Sequence, residues 1–208
     1  MSTLEARTVE AATLPAAARE QPAGRSTAWW GMVLLIATEA AFFAVLLASY
    51  FYLRFASPGP WPPDGIEDPK LVRPLIMTGL LLTSSIPMIW ADRQVRKGHV
   101  GRTAAGVSLS VVLGLAFLAL QGSEYAEKLH QFTPTTNVYG SLFYSITGFH
   151  GLHVLVGLVM MVFLLAGAAR HRLGGHHFHR VQLTAFYWHF VDVVWIFILS
   201  SLYLSPHL

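Results

Sequence analysis

The chain has 208 residues, 54% of them hydrophobic and 12% charged, with a formal net charge of +3 and a mean hydropathy of +0.50. A soluble domain carries about 25% charged residues, so most of this chain belongs in a bilayer. Its basic residues are scattered through short loops, which argues against a nucleic-acid partner. The absence of cysteine excludes disulfides, thiolate metal sites, iron–sulfur clusters and covalent c-type haem attachment.

Residues 1–27 are rich in Ala, Thr, Glu and Arg, contain Pro15 and Pro22, and lack an apolar run long enough for the core of a signal peptide. They read as a polar, flexible tail, followed by a membrane domain from residue 28 to 208. Five apolar segments follow, at about 29–53, 71–90, 103–122, 138–169 and 181–204. Each reaches the ~20 residues that cross the hydrocarbon core as a helix. The expected fold is therefore all-α, a five-helix transmembrane bundle. The fourth segment is long enough to be tilted or to protrude. β-Barrel strands are excluded, since they alternate in polarity and are about ten residues long.

The loops set an orientation. The first contains Pro58, Pro60, Trp61, Pro62, Pro63 and the Asp64-Gly65 turn pair, and it is mildly acidic. The second holds Arg93, Arg96, Lys97 and Arg102, the third only Lys128, and the fourth Arg170, Arg172 and Arg180. With Arg7, Arg19 and Arg25 of the tail, ten of the fourteen Lys and Arg residues fall on one side. The positive-inside rule makes that side cytoplasmic, so the N-terminus is cytoplasmic and the C-terminus periplasmic. Trp29, Trp30, Trp61, Trp90 and Tyr203 lie at segment ends and read as interfacial anchors.

Within the segments, Gly106, Ser110 and Gly114 form a small-residue stripe that lets a neighbouring helix approach closely. Pro87 should kink the second segment, with Thr83, Ser84 and Ser85 at hand for the backbone groups it frees. Glu39 sits mid-way along the first segment. A carboxyl there either carries a proton or accepts hydrogen bonds from another helix, which makes it a buried protonatable carboxyl. His150 and His153 in Gly-Phe-His-Gly-Leu-His share a helix face, as do His189 and Asp192 in Tyr-Trp-His-Phe-Val-Asp. Counted along helices of the expected orientation, these groups lie at similar depths. Glu124 could join them only if its depth allows.

Together they have the ligand types of a bundle metal site, yet no Glu-x-x-His motif on paired helices occurs. Interhelical hydrogen bonding is the reading for His150, His153, His189, Asp192 and Glu124, with no catalytic residue and no metal or cofactor held by this chain. Glu124 is expected either to contact a partner or to end the third helix. The Gly174-Gly175-His176-His177-Phe178-His179-Arg180 loop reads as a headgroup or subunit contact at the membrane surface.

Five stretches in register carry a further likeness. They are Gly31 through Glu39 to Phe43, Trp61-Pro62-Pro63-Asp64-Gly65-Ile66, Leu120-Gln121-Gly122-Ser123-Glu124-Tyr125, Val138-Tyr139-Gly140 through Val154, and Tyr187 through Trp195. Over about residues 29–204 the chain resembles subunit III of the haem-copper oxidases, in particular cytochrome c oxidase in a short, five-helix bacterial form. The resemblance implies a non-redox core subunit of an aerobic terminal oxidase in the bacterial inner (plasma) membrane. Such a subunit packs directly on subunit I, in a complex with subunit II and cytochrome c or another donor. It supports proton uptake while oxygen is reduced to water by cytochrome c, and it binds phospholipid. Haem and copper are implied in partner subunits only. Glu39 matches the family's carbodiimide-reactive buried carboxyl. The long family form has two helices before the segment that begins near Trp29; here a polar tail stands in their place, which affects lipid sites built from both walls. A quinol oxidase subunit III, an accessory protein of a nitric oxide reductase system, and a haem- or metal-binding membrane enzyme are the alternatives.

Overall fold

A computed structural model describes residues 26–63, 65–66, 70–170 and 178–207 of the chain. The polar tail up to residue 25 and His171, His176 and His177 of the fourth loop lie outside the described residues. Five long apolar helices account for most of the rest, all of them long and apolar enough to cross a membrane. They are α1 (Thr27–Ala56), α2 (Val72–Arg96), α3 (Val100–Lys128), α4 (Val138–Ala169) and α5 (Phe178–Ile198). The last continues through wide π-helical turns at Leu199–Leu204 and a final tight turn at Ser205–His207. The fold is all-α.

The chain divides into two units, Met1–Leu34 and Leu35–Leu208. In the described part of the first unit, Trp29 and Trp30 meet edge to face at 4.9 Å. In the second, α2, α3, α4 and α5 form a ring of neighbours, each packed on the next and α5 returning to α2. From Leu35 onward α1 lies outside that ring. It buries only Phe43 and Tyr50 and presents exposed apolar side chains such as Val45 and Phe55. In a bilayer such an exposed apolar surface faces lipid tails or other protein.

Close approach explains the ring. A Cβ on Gly106 would lie 2.7 Å from the Pro87 carbonyl oxygen, and one on Gly114 2.8–2.9 Å from Leu158 and Trp188. The small-residue stripe thus lets α3 approach α2 at one end and α4 and α5 further along. Between those glycines the Ser110 hydroxyl donates to the Ser84 carbonyl of α2 at 2.8 Å. Gly157 does for α4 what Gly114 does for α3, since a Cβ there would come 2.6 Å from the Trp188 ring.

The second helix runs through Pro87 without interruption. The serines beside it are used differently from the sequence expectation. Ser84 Oγ donates to the Leu81 carbonyl at 2.5 Å and accepts the Trp188 indole N–H at 2.9 Å. Ser85 Oγ reaches Asp192 of α5. Both side chains therefore tie α2 to the ring, because an indole and a carboxylate buried in an apolar setting need partners more than one backbone carbonyl does.

The third helix is longer than its apolar run, continuing past Gly122 to Lys128. In its last turn Lys128 stands over the rings of Phe132 and Phe143, part of an aromatic cluster with Tyr139 and Tyr144. The fourth starts cleanly: Asn137 is extended, and its side-chain oxygen accepts the Gly140 N–H at 2.8 Å.

Candidate functional site

Three polar clusters lie among these apolar helices. The first joins α1 to α4. Glu39 Oε2 lies 3.1 Å from His153 Nε2, while His153 Nδ1 lies 2.7 Å from the Phe149 carbonyl. A carbonyl oxygen only accepts, so Nδ1 carries a hydrogen. Nε2 then either accepts the proton of a neutral carboxyl or shares an added proton with a carboxylate. In both cases the pair is neutral overall, the form least costly to hold in hydrocarbon. Phe43 packs edge-on against His153 at 5.0 Å, and the Tyr187 hydroxyl donates to the His153 carbonyl at 3.3 Å. A cleft of about 360 Å³ opens beside the pair, walled by Leu35, Phe42, Leu152 and Val156.

The second cluster joins α2 to α5. Ser85 Oγ donates to Asp192 Oδ2 and lies 3.1 Å from His189 Nδ1. His189 Nδ1 also lies 3.6 Å from Asp192 Oδ2, so the serine, the imidazole and the carboxyl form one cluster. One helical turn on, the Trp195 indole donates to Thr78 Oγ1 at 2.9 Å.

The third cluster lies where α3, α2 and the end of α5 converge. Glu124 is buried, accepts a hydrogen bond from Tyr203 Oη at 3.1 Å, and has Lys128 Nζ at 3.9 Å. Lys128 also stands over the Phe143 ring at 5.1 Å. Glu127 pairs with Arg73 of α2 at 2.8 Å and Lys70 at 3.6 Å, on the rim of a cleft of about 320 Å³. Two expectations change here. Glu124 does not end α3, which runs another turn. Tyr203 is fully buried rather than interfacial, because the wide turns at the end of α5 carry it against Glu124. Trp61, half-buried, packs edge-on between Tyr50 and Tyr139, at 5.7 and 5.5 Å.

His150 departs from the hydrogen-bonding role read for it. It is fully buried, and neither ring nitrogen has a hydrogen-bond partner among the described residues. Its neighbours are the rings of Trp195 at 5.0 Å, Phe117 at 5.8 Å and Phe43 at 6.4 Å. A three-residue step on a helix turns a side chain by about 60°, enough to aim His153 at Glu39 and His150 into the ring's aromatic interior. The five residues therefore do not converge on one point. Among the described residues no three His, Asp or Glu side chains come close enough to hold a metal ion.

Gln121, which sequence reasoning passed over, bridges α3 and α4 by donating to the Thr147 carbonyl at 2.7 Å. Tyr125 and the Thr147 hydroxyl meet 2.6 Å apart. A lone Gln in an apolar run was the available signal, since buried amides need a partner.

These polar groups tie helix to helix. The family described as cytochrome c oxidase subunit III matches residues 13–206. The chain belongs to the cytochrome c oxidase subunit III family. It is similar to the cytochrome c oxidase subunit 3 of Petromyzon marinus, 41% identical over 182 residues. It is also similar to those of Oncorhynchus clarkii, 38% over 180 residues, and Coturnix japonica, 36% over 179. Each match covers 84% of this chain and 68% of the relative. As a member of this family the chain is a multi-pass membrane protein and a subunit of a respiratory oxidase.

Proposed function

We propose that this chain is the non-redox core subunit of an aerobic oxidase, stabilising the catalytic subunit I and supporting its proton uptake during reduction of oxygen by cytochrome c. The family match across residues 13–206 carries the reading. The use of the intramembrane polar groups supports it. Glu39 with His153, Asp192 with Ser85, and Glu124 with Tyr203 each link two helical segments. Subunit I, with subunit II beside it, would hold haem and copper. The basic loops place the N-terminus on the cytoplasmic side of a bacterial plasma membrane in this reading. The half-open apolar cleft beside Glu39 suits a phospholipid acyl chain, whose ordering there would shield the carboxyl from water.

The test is purification in mild detergent through a tag on this chain. Haem absorption and cytochrome c-driven oxygen consumption in the purified complex are expected. Complexes that lack this chain should be inactivated sooner during turnover than those that retain it. A complex that oxidises quinol alone, or one that reduces nitric oxide, would overturn the assignment.

A further inference from the structure

The seam between α2 and α5 carries an unmatched polar group in an otherwise apolar stripe. On α5 the exposed side chains Phe186, Val193 and Ile196 fall three residues before, and four and seven residues after, His189. On α2 the exposed Leu82 and Ile89 fall three before and four after Ser85. These spacings put each set on one helix face, and the Ser85–His189 contact sets the two faces side by side.

His189 lies in the middle of this surface with its side chain 38% exposed. It is eleven residues beyond the start of the Phe178–His207 span, roughly 16 Å along the helix and near mid-membrane. Its Nδ1 is used by Ser85, and Nε2 has no hydrogen-bond partner among the described residues. Glu39 is 31% exposed by the same measure, but it and His153 satisfy each other. Lipid tails carry no hydrogen-bonding group at this depth. A polar side chain on another helix can pair with it there.

Resting on the reading of this chain as an oxidase subunit, we infer that the α2–α5 seam receives a transmembrane helix of a neighbouring subunit. A polar side chain of that helix hydrogen-bonds with His189 Nε2. The apolar residues on either side pack against the same helix, and the hydrogen bond sets its register.

Two measurements on the complex test this. A photo-reactive residue is placed at Leu82 or Val193 on the seam, and at Val112 of α3 or Phe163 of α4 for comparison. The seam positions should cross-link to a haem-containing subunit, and the comparison positions to lipid. The fraction of this chain retained on the complex through detergent is also read for His189→Asn and His189→Gln. The Asn amide can replace Nδ1 and cannot reach where Nε2 stood, whereas the longer Gln places its amide there. His189→Asn should lower the retained-to-dissociated ratio roughly fivefold, the usual size of one interhelical hydrogen bond in a membrane. His189→Gln should restore it. Subunit cross-links from α3 or α4, with lipid alone on the seam, would overturn the inference while leaving the oxidase reading intact. Equal retention of the Asn and Gln variants would do the same. A tagged chain that brings down no haem-containing subunit overturns both.

Discussion

At the scale of single residues the protein matches hydrogen-bonding groups in places where water is scarce. The Glu39–His153 pair shows how. The His153 ring gives its Nδ1 hydrogen to the Phe149 carbonyl and turns Nε2 to the carboxyl, so the two side chains share one ionisable proton. A Gln at position 39 has the size and polarity of a protonated Glu and can donate an amide hydrogen to Nε2. Glu39→Gln is therefore expected to assemble normally and to turn over within about twofold of the wild type, a barrier change of roughly 0.4 kcal/mol. It should also lose reaction with carbodiimides at this position. Full assembly with no oxygen reduction would make Glu39 an obligatory proton carrier instead. Residue identities marked Glu39 and His153 as intramembrane polar groups, because such groups are unfavourable in lipid. They did not reveal that His150, three residues from His153, lies among aromatic rings without a hydrogen bond. That depends on which face of α4 the packed bundle turns inward, which residue identities do not carry.

At the scale of elements, contact geometry dominates. The Gly106 backbone meets a backbone atom, the Pro87 carbonyl, so neither side can yield by a rotamer change. Gly106→Ala should push α3 off α2 and destabilise the bundle by roughly 1–3 kcal/mol, as overpacking does. A lowered midpoint of thermal unfolding in detergent would report it. Ala at Gly79 of α2, where an added Cβ meets nothing within 4 Å, is the control that should leave the midpoint unchanged. The glycine spacing was readable as a packing stripe, whereas its partners were not. The apolar runs likewise marked each helix, but α3 carries its helix beyond the run. Its final turn is held by the Arg73–Glu127 pair and by the aromatic cap over Lys128. Tertiary partners of that kind leave no trace in local hydropathy.

For the whole molecule, the orientation argued from the loops gives a simple check. The chain contains no cysteine, so single cysteines can be introduced without background. Lys97, exposed after α2, and Thr135, exposed before α4, lie on opposite sides of α3. In intact cells a membrane-impermeant thiol reagent should label Thr135→Cys and leave Lys97→Cys unlabelled until the membrane is broken. Labelling in the reverse order would invert the topology.

The sequence by itself determined five helices long and apolar enough to cross a membrane among the described residues, because hydrocarbon demands about 20 apolar residues per crossing and every backbone group paired within its helix. Its motifs in register also determined the family. Which polar side chains meet was decided by the tertiary structure alone. Glu39 finds His153, Ser85 finds Asp192 and Tyr203 finds Glu124 across separations of 79 to 114 residues. The reason is physical: hydropathy acts residue by residue along the chain. Hydrogen bonds between helices depend instead on rotation and depth, which close packing at Gly106, Gly114 and Gly157 sets.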